Sequence, residues 1–221
     1  MGYEYDWSVV LRPDAWFEAI YITLLYGIGT TLVGLLLGLF LGLVLISSFA
    51  PGRWAVQLFI GVFRCTPALI QIVWFYYAFP IVLGVNFPAW LAAGCGLTFY
   101  MAAFSAEIFR GGVQSIDRRQ WSACRSLCMS YWQTMRHVIL PQTLRRMTPA
   151  IVNQAIIQFK NTSLLSVVAV HDLMYTANAL TSETYRPLEV LTFAALIYIA
   201  VIWPMASLTN FFERRAHRRL A

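Results

Sequence analysis

Charged side chains are scarce in this sequence of 221 residues: 12% are charged and 59% are hydrophobic. Soluble domains carry roughly twice that share of charge, about a quarter of their residues. The deficit argues against a large soluble protein and favours a lipid bilayer as the solvent. There is one lysine against fifteen arginines, and the net charge is +6. Because the arginines are confined to short segments between apolar runs, membrane topology explains them better than nucleic-acid binding.

Signatures of covalent chemistry are also missing. The sequence has no Gly-rich phosphate-binding loop of the Walker type. Its histidines, His137, His171 and His217, are too scattered to form a Ser-His-Asp or Cys-His constellation. Cys124 and Cys128 have no further His or Cys nearby that would complete a metal site. We therefore predict no catalytic residue, no metal and no cofactor in this chain, and cysteines that stay reduced.

Long apolar runs dominate what is present. Five of them can cross about 30 Å of hydrocarbon at about 1.5 Å per helical residue. They cover about Trp16–Ile46, Trp54–Val82, Pro88–Phe109, Val138–Phe159 and Leu188–Phe212. We predict an all-α integral membrane protein in which residues 1–221 form one transmembrane domain with five transmembrane helices. Gly34, Gly38 and Gly42 in the first run suit close helix packing in lipid, most simply within the chain.

The arginines predict the orientation. With five spans, segments 47–64, 110–146 and 213–221 share one side of the membrane and hold thirteen of the sixteen basic residues. The positive-inside rule places this side in the cytoplasm. We therefore expect a multi-pass membrane protein with its N-terminus outside and its C-terminus in the cytoplasm.

The polar loop at about 111–137 contrasts with the apolar runs around it. Asp117 is suited to cap a short helix that runs to Ser130, with Ala123, Leu127 and Tyr131 on one stripe. A second helix start is expected near Ser130, and a proline, Pro141, suits the first turn of the fourth span. Periodicity alone leaves two uses open: a helical knob that docks in a partner, or a basic loop on anionic lipid.

Amide side chains interrupt the fourth apolar run. Asn153, Gln154 and Gln158 can donate to a carboxylate and accept from an ammonium group, as a zwitterionic ligand requires. Polar groups at this depth must face protein or water, so hydrogen bonds between helices are an equal alternative. Thr66 lies beside Pro67, which is expected to break the helix of the second run, and is a further candidate for the substrate path.

Short motifs recur along nearly the whole chain: Thr23-Leu24, Phe63-Arg64-Cys65-Thr66-Pro67, Ala106-Glu107-Ile108, Phe109 to Ile116, Gln120-Trp121, Leu127, Gln133-Thr134, Arg136 to Gln142, Asn153, Lys160 to Leu164, and Phe212 to Arg215. In their order and separations, these motifs resemble the permease subunits of ABC importers for polar amino acids, the histidine, glutamate/aspartate and glutamine permease family. This resemblance implies a location in a bacterial inner membrane.

This resemblance implies the five-helix core of type I ABC importers with a cytoplasmic coupling helix. The chain would be a transport component and not an enzyme, with ATP bound by cytoplasmic ATPase subunits. An extracytoplasmic binding protein would deliver the amino acid, and a second permease subunit, identical or related, would share the path. The residues expected to couple to the ATPase are Ser122, Ala123, Cys124, Leu127, Cys128 and Pro141.

Two departures from the family pattern fall in the coupling loop. Where the family has Glu-Ala-Ala, this chain has Ser122-Ala123-Cys124, and a Leu-Gly pair is replaced by Leu127-Cys128. The glutamate would make a charge-assisted contact with the ATPase, and the glycine would permit a tight turn. The departures favour a second permease that is not identical to this one.

Charged residues near the spans have simpler explanations. Glu107 and Arg110 are placed for an i,i+3 ion pair, and Arg64 is expected to form a buried pair. Lys160 is expected to extend to the outer interface or to contact the binding protein.

Two rival functions remain. A self-sufficient secondary transporter or channel would need paired intramembrane ions or an internal repeat, and a membrane scaffold would only anchor a soluble complex. The substrate preference leans to glutamate or aspartate, because Tyr5-Asp6-Trp7 and the 47–51 segment resemble permeases for acidic amino acids. In addition, no acidic residue beside Asn153 is available to pair with a cationic side chain.

Overall fold

The computed structural model describes residues 4–217, with the backbone alone over residues 208–217. Within this range the fold is helical and has no strands, as predicted. The helices are α1 (Pro13–Ile46), α2 (Ala50–Cys65), α3 (Ala68–Val73), α4 (Phe79–Leu83), α5 (Ala89–Gln114), α6 (Arg118–Ser126), α7 (Tyr131–Thr134), α8 (Leu140–Asn161), α9 (Leu173–Thr184) and α10 (Pro187–His217). Short 3₁₀ segments cover Trp7–Val10 and Thr162–Val168.

Helix α1 packs against α5 along a stripe of small residues. The contacts repeat every four residues in the pairs Gly34–Met101, Gly38–Ser105 and Gly42–Phe109. Small residues let two helix backbones approach closely in lipid, where apolar surface alone gives no preference for protein over lipid. Large side chains on the other faces of α1, such as Leu36 and Phe40, are exposed. The glycine repeat therefore packs the chain against itself, as predicted.

Three helices are long and apolar enough to cross a membrane by themselves: α1, α5 and the Pro187–Ser207 part of α10. The predicted span Trp54–Val82 is not one straight helix, because α2 meets the α3–α4 helix at 108°. The bent pair is at most a fourth span. Helix α8, which contains most of the predicted span Val138–Phe159, does not meet the same criteria. The count of five spans therefore stays a prediction.

The sharp bend lies at Thr66 and Pro67, both of which have extended backbone torsions. Proline disfavours the helical conformation in the residue before it, which is why α2 ends here.

Two π-helical segments occur in longer helices, and each ends two residues before a proline. They are Trp74–Ala78, ahead of Pro80, and Met135–Ile139, ahead of Pro141. Proline has no N–H and crowds the carbonyl four residues earlier, and a π-bulge relieves both problems by widening the turn. Pro141 lies in the first turn of α8, as predicted, but the helix continues through it. Helices α7 and α8 thus form one helical run from Tyr131 to Asn161.

Candidate functional site

The bend between α2 and α3 is held by one buried amide. Gln71 Nε2 donates to the carbonyl oxygens of Phe63 (2.7 Å) and Thr66 (3.0 Å) and to Thr66 Oγ1 (2.9 Å). Thr66 Oγ1 donates in turn to the Val62 carbonyl at 2.8 Å. Thr66 and Gln71 line an apolar cavity of about 390 Å³. Thr66 therefore lies beside a cavity, while its hydroxyl also helps to hold the bend.

The three amides of α8 occupy different environments. Gln158 is fully buried, and its Nε2 donates to Thr30 Oγ1 of α1 and to the Leu97 carbonyl of α5, both at 2.9 Å. Gln154 is also buried, and its Nε2 has no hydrogen-bond partner among the described residues. Asn153 is exposed. Gln158 thus makes the hydrogen bonds between helices that were the alternative to a path role, and Asn153 alone among the three is exposed to a ligand on this chain.

A larger cavity, of about 450 Å³, opens between the end of α8 and α10. Its lining residues are Lys160, Ser163, Tyr198, Ile199, Ile202 and Trp203. Lys160 is exposed and has no ion pair with the residues described in the structure. Asn153 lies seven residues earlier, about two helical turns, and so shares its helix face. An ammonium and an amide on one face, about 10 Å apart along the helix, can bind two polar groups of one ligand.

The predicted Glu107–Arg110 ion pair is present, with Glu107 Oε2 at 2.6 Å from Arg110 Nη2. Arg64 Nη1 lies 3.7 Å from the same carboxylate oxygen, and its guanidinium is 5.5 Å from the centre of the Phe104 ring. These contacts join α2 to α5. The prediction that Arg64 forms an ion pair is confirmed. The prediction that this pair is buried is wrong, because the Arg64 side chain is 44% exposed.

Helix α6 is a short exposed knob. The Asp117 carboxylate caps it, as predicted, by accepting from the Arg119 N–H at 2.8 Å. Among the predicted coupling residues, Ser122, Ala123, Leu127 and Cys128 are exposed, Cys124 is buried against the fold, and Pro141 lies on the exposed side of α8. The helix ends at Ser126 and not at Ser130, and Tyr131 belongs to α7, so the predicted apolar stripe of α6 stops at Leu127.

The second helix start predicted near Ser130 is confirmed. Ser130 Oγ accepts from the Gln133 N–H at 3.2 Å, and Gln133 Oε1 accepts from the Ser130 N–H at 2.9 Å. This reciprocal pair is a capping box, which satisfies two otherwise free donors at the start of α7.

A small apolar cluster fixes the knob to the bundle. Ile116, Met135 and Ile139 are buried together, with Trp121 of α6 packed against them. Arg146 of α8 donates to the carbonyl oxygen of Ser115, just before α6. The cluster and this hydrogen bond join α6 to the α7–α8 helix.

Cys128 stands in the left-handed region, with φ of 52°, at the position where the family has glycine. A side chain in this conformation costs about 1–2 kcal/mol. We expect Cys128→Gly to raise the free energy of unfolding by about 1 kcal/mol, or the unfolding temperature by roughly 2–4 °C. Thermal unfolding of the purified complex measures this. Cys128→Ala is the control, because alanine keeps the strain, and equal temperatures for the two variants would contradict the explanation.

The cysteines form no disulfide, and no three His, Cys, Asp or Glu side chains group in a metal-binding arrangement in the described part of the chain.

Ionic contacts fasten the N-terminal segment at the end of the bundle opposite α6. Arg12 donates two hydrogen bonds to the Glu183 carboxylate, from Nη2 to Oε1 at 2.7 Å and from Nη1 to Oε2 at 2.9 Å. This pairing lowers the pKa of Glu183 and raises the pKa of Arg12. Glu189 is fully buried and accepts from the Asp6 N–H at 3.1 Å and from Arg186 at 3.2 Å. Hydrogen bonds from Ser8 lower the pKa of the Asp6 carboxyl. The segment before α1 is thus tied to α9 and α10.

Sequence comparisons place this arrangement among known proteins. Residues 34–221 match the sequence model of the family described as binding-protein-dependent transport system inner membrane component. The glutamate/aspartate import permease protein GltK of Escherichia coli O6:H1 is 33% identical in an alignment that covers 96% of this chain and 99% of GltK. The arginine transport system permease protein ArtQ of Bacillus subtilis is 33% identical over 198 residues, or 90% of either chain.

Comparison with solved structures also finds ABC transporters. A crystal structure of an amino acid ABC transporter with histidines superposes with a TM-score of 0.89 at 33% identity, over 96% of this chain and 100% of the other. The inward-facing methionine transporter MetNI gives a TM-score of 0.71 at 18% identity, over 93% of this chain and 98% of the other, which is a likeness of fold.

These findings confirm the resemblance and the fold class predicted from the sequence. The fold is that of type I ABC importer permeases. Such permeases are non-enzymatic subunits that work with an ATPase and a binding protein. The chain belongs to the binding-protein-dependent transport system inner membrane component family, as a multi-pass permease subunit of the amino-acid ABC importer type.

Proposed function

We propose that this chain and a second permease subunit enclose the path of a polar amino acid. Transport along this path is driven by ATP that the partner ATPase binds and hydrolyses. The observation that carries the proposal is the exposed knob α6, which a buried cluster fixes to a bundle of permease type. GltK is named as a glutamate/aspartate import permease and ArtQ as an arginine transport permease. The substrate class proposed for this chain is therefore polar amino acids. GltK and ArtQ are equally identical to this chain, but the match to GltK covers 96% of it against 90% for ArtQ, and this longer match is the basis for proposing an acidic amino acid.

Coupling is proposed to run through the exposed face of α6. Ser122, Ala123, Leu127 and Cys128 dock in a groove of the ATPase, and Cys124 supports the helix from behind. Closure of the ATPase pulls on α6 and, through the buried cluster, on the α7–α8 helix. The thirteen basic residues in segments 47–64, 110–146 and 213–221 favour a cytoplasmic location for this end, with the N-terminus outside.

The proposed substrate contacts lie on the exposed face of α8. Lys160, at the cavity wall beside α10, pairs with a substrate carboxylate, and Asn153 binds a second polar group. An acidic amino acid carries two carboxylates and one ammonium, so its net negative charge suits a wall that presents an unpaired cation. Thr66 borders the path at the bend, while Gln154 and Gln158 lie behind the α8 surface.

Reconstituted transport tests the proposal. The chain is placed in proteoliposomes with its ATPase, second permease and binding protein, and uptake of radiolabelled glutamate, aspartate, glutamine and arginine is measured. We expect uptake that requires both ATP and the binding protein, with glutamate or aspartate preferred. Uptake driven by an ion gradient without the ATPase would instead support a secondary transporter.

A further inference from the structure

A long apolar groove opens on the outside of the bundle at the α6 end. Its volume is about 760 Å³, larger than the cavities described above. Helix α1 forms one wall and the continuous α7–α8 helix forms the other. The lining includes Leu36, Leu39, Leu43, Leu140, Leu144 and Ile151. The groove is distinct from the cavity beside Lys160, since the two share no lining residue.

The groove has the length of one lipid tail. Its α1 wall runs from Leu35 to Ile46, which is about 16 Å at about 1.5 Å per residue. The hydrocarbon of a bilayer is about 30 Å thick, so one leaflet accounts for about 15 Å. Leu36 and Leu43 are exposed there and pack against no other described element closely enough to be buried. The groove therefore has room for one acyl chain aligned with α1, from the interface to the middle of the membrane.

The mouth of the groove is cationic and aromatic. Arg136 lines it, is exposed, and makes no ion pair with the side chains described in the structure. Tyr131 and Trp132 line the same end and are largely exposed. Tyrosine and tryptophan are typical of the level of lipid headgroups. Unpaired arginine beside such residues, with an apolar slot below, has the charge and shape of a phospholipid site.

We infer that the groove binds an anionic phospholipid, with one acyl chain between α1 and α8 and the phosphate on Arg136. Basic pockets between transmembrane helices are known to hold anionic headgroups. A zwitterionic phospholipid fills the slot equally well with its tail, so selectivity resides in the charge at Arg136. The second wall carries Met135, which belongs to the cluster that anchors α6, and Leu140, which follows Ile139 of that cluster. The bound lipid therefore supports the segment that connects α6 to the bundle.

Lipid retention tests this inference without ATP or substrate, so its result does not depend on the proposed transport function. The intact complex is purified in mixed micelles of phosphatidylglycerol and phosphatidylcholine, and bound lipids are counted by native mass spectrometry. We expect phosphatidylglycerol to be preferred. Arg136→Gln should reduce that preference about fivefold, because one arginine near a headgroup favours an anionic lipid by a factor of this order.

Two further variants make the result specific. Arg145→Gln removes an exposed arginine of α8 that does not line the groove, and should keep the preference. Leu43→Trp fills the slot and should reduce the retention of both lipids. Equal effects of Arg136→Gln and Arg145→Gln, or no preference in the unaltered complex, would overturn the inference. So would efficient disulfide cross-linking of Leu43→Cys to a second permease subunit, because protein would then occupy the groove.

Discussion

Gly38→Leu is expected to prevent the assembled permease from accumulating, and Gly38→Ala to destabilise it by about 1–3 kcal/mol. A Cβ at Gly38 would stand 2.5 Å from Ser105 Cβ, 2.9 Å from the Ala102 carbonyl oxygen and 3.1 Å from the Ala106 nitrogen. These atoms belong to the backbone of α5 or are attached directly to it, so no flexible side chain can yield. The helices must separate, and the hydrogen bonds of Gln158 to α1 and α5 separate with them. Fluorescence-detected size-exclusion chromatography and thermal unfolding measure both effects.

Gly29→Ala is the matched control, because it lies in the same helix and a Cβ there would meet nothing within 4 Å. Alanine favours helix over glycine by about 0.5–1 kcal/mol, so this variant should be neutral or slightly more stable. If Gly38→Ala matched Gly29→Ala in unfolding temperature, close α1–α5 contact would not be what the glycine repeat provides.

Leu127→Asp is expected to lower ATP-driven uptake roughly a hundredfold while leaving the permease folded. Leu127 is the C-cap residue that follows α6 and is 74% exposed in the isolated chain, so the fold does not need its side chain. In the proposed complex the residue is buried against the ATPase, and an unpaired carboxylate there costs about 3 kcal/mol or more. Pull-down of the ATPase, ATPase stimulation by substrate and uptake should all fall, with an unchanged unfolding temperature for the permease alone.

Leu127→Met serves as the control, since methionine keeps the apolar character and volume. It should retain most of the uptake. An aspartate variant that bound the ATPase and transported normally would place the coupling contact elsewhere than on α6.

Much of the fold was predictable because local signals and tertiary packing agree. The glycine repeat of α1 predicted a close helix contact, and the structure supplies α5 as the partner. Ser130 and Gln133 predicted the start of α7. The sequence predicted a proline-broken helix at Thr66 but not the 108° angle of the break, because an apolar run has the same composition whatever the angle between its two parts. A proline by itself also did not distinguish this sharp bend from the π-bulges that carry the helix on through Pro80 and Pro141.

The candidate site was predictable in composition but not in orientation. The sequence identified Asn153, Gln154 and Gln158 as polar residues on one apolar helix, yet periodicity could not assign faces where nearly every neighbour is apolar. The structure places Gln158 inside and Asn153 outside. Gln71 was overlooked, although a lone amide four residues after Pro67 in an apolar run is the signal that a freed carbonyl needs a donor.

The unbroken helix from Tyr131 to Asn161 has a mechanical consequence. It is a lever about 45 Å long, with the anchor of α6 near one tip and Lys160 at the other. Its π-helical turn, Met135–Ile139, lies close to the α6 end. The buried amide of Gln158 fixes this helix between α1 and α5 only two residues before Lys160, so nearly the whole length of the helix lies on the α6 side of that contact.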